Sequence, residues 1–425
     1  MAPLRPKVGG LAAAFPCAAA AAQTENHPIR AIGIITQLLA GGGIDVLCRA
    51  LGDPYTRTMN CVRLGAVPLH RKQGGNMNRR KFLNQVLAAL AAATLMSAAW
   101  AQGPVTLRYA TFLPPGGIFT KPDGVMGRWA QAVDRDSGGM LKIDTMPGGT
   151  FGAAGRTPSA QLKMLTDGIT DISFVIPSTT PGRFPDDNLF GLPITQSALE
   201  GSLTFWRLHQ QGLMRGYDDK SFYIVGLLVN PPNVLHSRSP IKTLEDMKGK
   251  RIQASGTEQQ EVLRGLGGVP VGTVSVRETA EAISRGVVDG SPKDWIALYS
   301  FRIADAAKHH VDIPLGASTI LIALNRAKFD SLPPALKAAI EKNSGEAFVR
   351  MAGEYFDTAA RASLEKVKGD REHVIVGLPQ GEAARWDQAI EPVIADWRNK
   401  APANEKLWQA FLATRAEVRR ELGKP

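Results

Sequence analysis

Cysteine is scarce in this 425-residue sequence, which contains only Cys17, Cys48 and Cys61. All three precede position 77, where the secretory signal described below begins. The chain beyond that signal has no thiol, which excludes a disulfide framework, a thiolate nucleophile and a cysteine-ligated zinc site there. A chain without thiols also suits an oxidising compartment.

The sequence also lacks an apolar run of membrane-spanning length. Residues 77–101 combine the basic start Arg79-Arg80-Lys81, an Ala- and Leu-rich run, and the small-x-small site Ala99-Trp100-Ala101, which together predict a secretory signal peptide. The run is shorter than the ~20 residues that span a bilayer. Its paired arginines favour twin-arginine export, with Sec export as the alternative. For residues 1–76, the simplest explanation is a start codon placed too early, and we expect a disordered segment without a function of its own.

A basic excess is missing from the predicted mature chain. The net charge of +11 reflects 50 Lys and Arg against 39 Asp and Glu, but 11 of the basic and only 3 of the acidic residues lie in residues 1–101. The remainder is nearly balanced and carries no recognition motif, so we predict no nucleic-acid partner.

Signatures of catalysis and of cofactor binding are absent as well. The sequence has no nucleophile–base pattern, phosphate loop or HExxH motif, and its glycine pairs at 148–149 and 267–268 do not match a dinucleotide fingerprint. His309-His310 suggests a metal, but adjacent residues point apart on a helix and no carboxylate stands at ligand spacing to both. We therefore predict no metal, no cofactor and no enzymatic reaction.

Strand and helix signals alternate along the chain. Alternating or buried apolar patterns predict strands, and helical spacing between turn residues predicts the helices that separate them. This alternation is typical of a doubly wound α/β domain. The predicted strands cover 105–112, 141–146, 171–176, 221–229 and 319–324, and the predicted helices cover 123–136, 159–167 and 197–211.

A second β-α-β pattern occupies residues 241–295, and a long helical pattern follows at 333–368. At 1.5 Å per residue, an unbroken helix of that length would measure about 50 Å, which is too long for one small lobe. The C-terminal part, with Trp386, Trp397 and Trp408, is predicted to be helical and to pack on the second lobe. Ligands of open α/β sheets bind where strands end and helices begin, so we place the site near residues 251–256 and 289–295.

Several of these stretches resemble one known family. The segments LRYATFLPPGG, MPGGTFG, TPGRFPDDNLFGLP, IKTLEDMKGKRI, VPVGTVSVRETAEAISRGVVDG and KDW, in this order, are similar to the DctP-type solute-binding proteins of tripartite ATP-independent periplasmic (TRAP) transporters. The likeness covers 105 to about 310 and continues through the long helical pattern.

The resemblance implies a two-lobed α/β periplasmic binding protein fold with a long helix spanning both lobes. It places lobe I at 102–228 plus about 316–346, and lobe II at 229–315 plus about 347–425. It further implies a monomeric periplasmic receptor that binds a small organic acid or related polar solute and delivers it to a TRAP membrane permease. Two alternatives stay open, an α/β enzyme acting on a small organic acid and a sensor lobe for a signalling partner.

One position departs from the family pattern. The resemblance implies an arginine that binds the solute carboxylate just after Ile252, where this sequence has Gln253. An amide lacks the charge of a guanidinium, so the lost contact costs about 1.5–3 kcal/mol unless another cation replaces it. Candidates for that cation are Lys293, Arg251 and Arg183, each with a solvated or structural role as the alternative. Without a cation, we expect a less anionic solute.

Further candidate ligand contacts lie at the predicted strand ends. Trp295 offers a stacking plane, with core packing as the alternative. The other candidates are polar or aromatic residues at three strand ends: Thr111, Phe112, Ser178, Ser255 and Asp294.

Overall fold

The computed structural model describes residues 103–180 and 182–424. The predicted signal peptide and upstream segment lie outside these residues. Within them, the chain forms two β-sheets with helices packed around each sheet. No helix of the described part has the length and apolar character to cross a membrane.

The first sheet has five strands in the order β2-β1-β3-β10-β4. Strand β1 runs parallel to β2 and β3, whereas β10 runs antiparallel to β3 and β4. The five strands predicted for this region all form, with ends displaced by no more than two residues. Their bounds are β1 Val105–Ala110, β2 Leu141–Met146, β3 Ile172–Val175, β4 Phe222–Val229 and β10 Thr319–Asn325.

The second sheet has six strands in the order β11-β9-β5-β8-β6-β7. Strand β5 lies antiparallel between β8 and β9, and β6 lies parallel to β7 and β8. The His309-His310 pair lies on β9, so its assumed helical setting was wrong. The bounds are β5 Val234–Ser237, β6 Arg251–Gln253, β7 Val269–Val271, β8 Gly290–Lys293, β9 His309–Val311 and β11 Val374–Ile375.

The helices fill the intervals between strands and the C-terminal part of the chain. Their bounds are α1 Val125–Asp136, α2 Gly152–Arg156, α3 Gln161–Thr166, α4 Ala198–Gln210, α5 Leu244–Met247, α6 Thr257–Gly265, α7 Thr279–Ser284, α8 Trp295–Ser300, α9 Arg326–Asp330, α10 Pro334–Lys342, α11 Glu346–Gly369, α12 Glu382–Asn399 and α13 Pro402–Glu421.

The predicted unbroken helix over 333–368 is wrong, because α10 and α11 are separate. They are interrupted at Gly345, which has a φ of 69° and whose amide donates to the carbonyl of Val225 at 2.8 Å. Glycine adopts this left-handed conformation without the steric cost of a Cβ. The 24 residues of α11 correspond to about 36 Å.

Helix α11 nevertheless spans both lobes, as predicted. Near its start, Phe348 packs over Gly226 of β4 in the first sheet. Near its end, the ammonium of Lys366 lies 3.9 Å from the ring centre of Tyr299, which belongs to α8 beside the second sheet. One continuous helix therefore fixes a distance between the two lobes.

The two C-terminal helices divide between the lobes. Helix α12 packs on α6 of the second lobe, whereas α13 packs mainly on α4 of the first. The second arrangement differs from the expectation that the whole C-terminal part packs on the second lobe. Helix α13 is anchored on the first lobe by buried Phe411, whose ring centre lies 6.1 Å from that of Phe190.

Candidate functional site

A cavity of about 340 Å³ lies between the two sheets, at the ends of their strands. From the first lobe, Phe112 follows β1 and Ser178 follows β3. From the second lobe, Ser255 follows β6 and Lys293 ends β8. Both strand-end regions singled out in the sequence therefore open into one shared hollow. Its size falls at the small end of the range for ligand pockets.

The walls of the cavity are mainly apolar and aromatic. The rings of Phe112 and Phe119 both stand edge-on to that of Phe174, with centre distances of 5.7 and 4.6 Å. Edge-to-face packing is a favourable arrangement of aromatic rings, so these three side chains stabilise one another in the wall. The larger apolar side chains of the lining also include Leu113, Ile118, Ile176, Val274, Val276, Ile296, Phe301 and Ile320.

Lys293 is the single Lys or Arg among the described residues that line the cavity. Its side chain is buried, and its Nζ donates to the carbonyl of Pro292 at 3.1 Å. No carboxylate of the described residues lies within ion-pairing distance of it. Burial lowers the pKa of Lys293 to about 8, while neighbouring Asp294 acts in the opposite direction. At neutral pH, Lys293 is therefore mostly protonated. Its ammonium lies beside an apolar wall and has no carboxylate partner among the described residues.

Asp294 lines the same cavity, but its carboxylate is engaged by the protein. One oxygen accepts from the amides of Ile296 and Ala297, both at 2.9 Å, and thereby caps α8. The other accepts from Asn230 at 3.4 Å. Burial raises the pKa of Asp294, against the effect of these amides and of Lys293. Its position is that of a helix cap rather than of a solute contact.

Asn230 and Asn233 are among the cavity residues that were not predicted from the sequence. Asn230 and Asn233 follow β4 in the crossing segment between the lobes, and both line the cavity. Asn233 is buried, and its backbone bonds to the 315–316 segment. The signal that could have found them is Asn230-Pro-Pro-Asn233, a polar turn directly after a buried strand.

Gln253 is buried behind the cavity wall. Its amide nitrogen donates to the hydroxyl of Ser255 at 3.2 Å and to the carbonyl of Val274 at 3.1 Å. Its oxygen accepts from the hydroxyl of Ser291 at 2.7 Å. These three bonds join β6, β8 and the loop after β7, so the side chain supports residues that line the cavity.

We expect Gln253→Ala to lower the free energy of unfolding by about 2–3 kcal/mol, because Ser291 and the carbonyl of Val274 lose their partner inside the protein. Urea unfolding followed by circular dichroism measures the change. Gln131→Ala is the matched control, since Gln131 is exposed and makes one bond to the carbonyl of Pro122. Equal stability of the two variants would contradict the supporting role.

Trp295 and Thr111 lie beside the cavity without lining it. Trp295 is buried, and its ring stands edge-on to those of His236 and His310, with centre distances of 5.2 and 5.5 Å. These contacts match the core-packing alternative. The hydroxyl of Thr111 accepts from the amide of Leu113 at 3.2 Å and so fixes the turn that presents Phe112.

Arg251 and Arg183 are not brought to the cavity. Arg251 is exposed, and its guanidinium donates to the carbonyl of Gly286 at 2.7 Å and pairs with Asp289. Arg183 pairs with Asp219 on the first lobe. Of the three cations considered from the sequence, only Lys293 lies at the shared hollow.

Arg277 was not predicted, and it links the two lobes beside the cavity. Its Nη1 donates to the carbonyl of Phe112 at 2.7 Å. Arg277 belongs to a short 3₁₀ turn, Val276–Glu278, whereas Phe112 follows β1 of the other sheet. This bond draws the two rims of the cavity together.

The family of this chain follows from comparison with known proteins. A family model described as bacterial extracellular solute-binding protein, family 7 (DctP), matches residues 120–400. The chain belongs to this family. The predictions of a DctP-type receptor and of its two-lobed α/β fold are thereby confirmed. Family 7 members are extracytoplasmic receptors that bind small organic solutes and work with a membrane permease.

The chain is also similar to a named relative and to solved structures. The receptor is 24% identical over 304 residues to outer membrane transporter protein TsaT of Comamonas testosteroni, covering 69% of this chain and 86% of that protein. It is 26% identical to a TRAP solute-binding protein of Rhodoferax ferrireducens T118 in complex with benzoate, with a TM-score of 0.68 over 75% of this chain and 99% of that one. A marine metagenome TRAP solute-binding protein in complex with 3-hydroxybenzoate has 24% identity and a TM-score of 0.69, covering 75% and 99% of the two chains.

Proposed function

We propose that this receptor binds a small aromatic monocarboxylate in the periplasm, as a monomer, and delivers it chemically unchanged to a TRAP permease. The carboxylate is bound by Lys293, and the ring lies against the phenylalanine wall. The domain boundaries expected from the sequence place the cavity between lobes I and II, so that closure of the lobes encloses the solute.

The observation that carries this proposal is the buried ammonium of Lys293 in an otherwise mainly apolar cavity. An unpaired charge is costly to bury, so its presence favours a ligand that brings the opposite charge. One cation suits one carboxylate. A second carboxylate would find no further Lys or Arg among the described residues of the lining.

The shape and chemistry of the walls support an aromatic solute. Phe112, Phe119 and Phe174 offer ring edges and faces on one side, and Val274 and Ile296 lie in the lining from the other lobe. The relatives whose structures contain benzoate and 3-hydroxybenzoate carry such ligands. In this receptor, Lys293 supplies the positive charge that binds the carboxylate. The family resemblance implies an arginine at position 253 for that contact.

A thermal-shift and calorimetry screen tests the proposal with benzoate, benzamide and succinate as probes. We expect a clear rise in melting temperature with benzoate, and a much smaller one with the neutral amide and with the dicarboxylate, because binding to the native state stabilises it. Recovery of unchanged benzoate after incubation distinguishes a receptor from an enzyme. A response to succinate without one to benzoate would contradict an aromatic monocarboxylate, and turnover would contradict the receptor.

The affinity for benzoate should depend on alkaline pH. The pKa of Lys293 is about 8 in the free protein, and only the protonated amine pairs with a carboxylate. As pH rises through 8 the amine loses its proton, so we expect the affinity to fall about tenfold per pH unit above that value. Calorimetric titrations from pH 7 to pH 10 measure this. Lys293→Arg is the control, since a guanidinium stays charged throughout, and a wild-type affinity that stays constant to pH 10 would exclude an ammonium contact.

A further inference from the structure

Three histidines form a hydrogen-bonded chain that runs from the back of the cavity towards the surface. His236 Nε2 lies 3.0 Å from the carbonyl oxygen of Lys293, and His236 Nδ1 lies 2.8 Å from His310 Nδ1. His310 Nε2 then lies 2.8 Å from His373 Nδ1, and the two rings are stacked. His236 and His310 are fully buried, and the side chain of His373, beside Lys308, is 3% exposed.

The carbonyl at the inner end fixes the direction of every bond in the chain. A carbonyl only accepts, so His236 donates from Nε2 and must accept at Nδ1. His310 therefore donates from Nδ1 and accepts at Nε2, and His373 donates from Nδ1. His373 Nε2 is left as an acceptor, 3.5 Å from the ammonium of Lys308. All three rings are neutral in this arrangement, and each has one defined tautomer.

Charged groups face the chain at both ends. At the outer end, Lys308 precedes β9, Lys366 lies on α11, and Asp370 and Glu372 belong to the turn before β11. His309 lies beside His310 on β9, and at the inner end the ammonium of Lys293 acts on His236. Within the described residues, no group of three His, Cys, Asp or Glu is arranged to hold a metal ion. The unbroken series of ring nitrogens within hydrogen-bond distance is the arrangement that proton transfer along the chain requires.

Burial is the largest effect on all three rings. It lowers the pKa of His236 well below the usual value, that of His310 to about 3, and that of His373 by less. Neighbouring histidines and lysines lower these pKa values further. The free protein therefore keeps the chain neutral at pH 7.

We propose that the His373–His310–His236 chain carries a proton from the surface to the back wall of the solute cavity, so that the receptor takes up a proton together with an anionic solute. This inference rests on the proposed binding of a carboxylate at Lys293. A bound carboxylate offsets the positive charge of Lys293, which otherwise opposes a proton on His236. Binding of the anion and protonation of the chain should then favour each other.

The relay preserves every hydrogen bond of the chain. A proton from water adds to His373 Nε2, and Lys308 turns away towards Glu372, 3.0 Å from it. His373 passes its Nδ1 proton to His310 Nε2, and His310 passes its Nδ1 proton to His236 Nδ1. His236 then carries both protons and the positive charge, while His310 and His373 are neutral with their tautomers exchanged.

Binding calorimetry in buffers of different ionisation enthalpy tests the proposal with benzoate as the probe. At pH 5.5 we expect net proton uptake on binding and an affinity higher than at pH 7.5 by about twofold or less, after correction for the ionised fraction of benzoate. His310→Gln keeps a donor and an acceptor but cannot carry a proton, so it should remove both effects. His309→Gln, which leaves the chain intact, should retain them. The acid-side affinity is compared only where circular dichroism shows the native fold, because lowered histidine pKa values favour the unfolded chain below pH 6.5.

A second measurement needs no solute. The titration of His236, followed by nitrogen-15 NMR, should move to higher pH in Lys293→Met, because the opposing charge is gone. His373→Gln, which removes the outer ring of the chain, replaces His310→Gln in the calorimetry if that variant fails to fold. An unshifted titration in Lys293→Met, or equal proton uptake by wild type and His310→Gln, would overturn the proton path. Failure of benzoate to bind at pH 7.5, together with a shifted titration, would instead count against the aromatic carboxylate alone.

Discussion

Lys293→Met is expected to reduce the affinity for benzoate tenfold to a hundredfold. The substitution keeps an unbranched side chain of similar length but removes the charge, and a charge-assisted hydrogen bond in a desolvated site contributes about 1.5–3 kcal/mol. Isothermal titration calorimetry at pH 7.5 measures the loss. The binding of benzamide should change far less, since it presents no charge to the ammonium.

The stability of the Lys293→Met protein provides the control. Burial disfavours the ammonium, as its lowered pKa shows, so the free variant should melt at the same or a higher temperature than the wild type. Loss of benzoate binding in a protein that is fully folded would assign the effect to the site. A variant that binds benzoate as tightly as the wild type would contradict Lys293 as the carboxylate contact.

Gly316→Ala is expected to lower the free energy of unfolding by about 3 kcal/mol or more, a large fraction of the stability of a typical domain. Gly316 has a φ of 86°, and a Cβ at this position would overlap the carbonyl oxygen of Gly191. The left-handed conformation alone costs an alanine about 1–2 kcal/mol. The carbonyl of Gly316 also accepts from the amide of Asn233 at 2.8 Å, so the affinity for the solute should fall as well.

Gly369→Ala is the matched control for this substitution. Gly369 ends α11, its φ is not left-handed, and a Cβ there would have no neighbour within 4 Å. Alanine is the better helix former by up to about 1 kcal/mol, so this variant should be at least as stable as the wild type. Urea unfolding of both proteins measures the difference. A Gly316→Ala protein as stable as Gly369→Ala would contradict the close approach of the two chain segments.

Much of the fold could be predicted from local patterns. Strands β1, β2 and β3 and helices α1 and α4 follow from apolar periodicity between turn residues, and the boundary residues Ser197 and Gln211 of α4 are its caps. The break between α10 and α11 could not be found this way. The pattern of apolar residues continues through Gly345, and the break depends on the distant carbonyl of Val225.

The candidate site was predicted only in part. Phe112, Ser178, Ser255, Lys293 and Asp294 line the cavity, because strand ends meet at one edge of each sheet and this rule needs only the order of the elements. Gln253 stands at the end of β6, as the sequence indicated. Its side-chain amide, however, is hydrogen-bonded to Ser291 and to the carbonyl of Val274. The sequence could not show these partners, since they belong to other strands and loops.

The sequence by itself determined the family, the two-lobed α/β plan and the absence of an arginine at position 253, because these depend on residue identity, order and spacing. Tertiary structure alone decided which of three cations reaches the cavity and that three histidines, distant in sequence, form one chain. Strand pairing sets such neighbours: His236 of β5 lies opposite Ser291 of β8 and His310 of β9. Which strands pair depends on the course of the whole chain between the lobes, and a local sequence pattern does not contain that information.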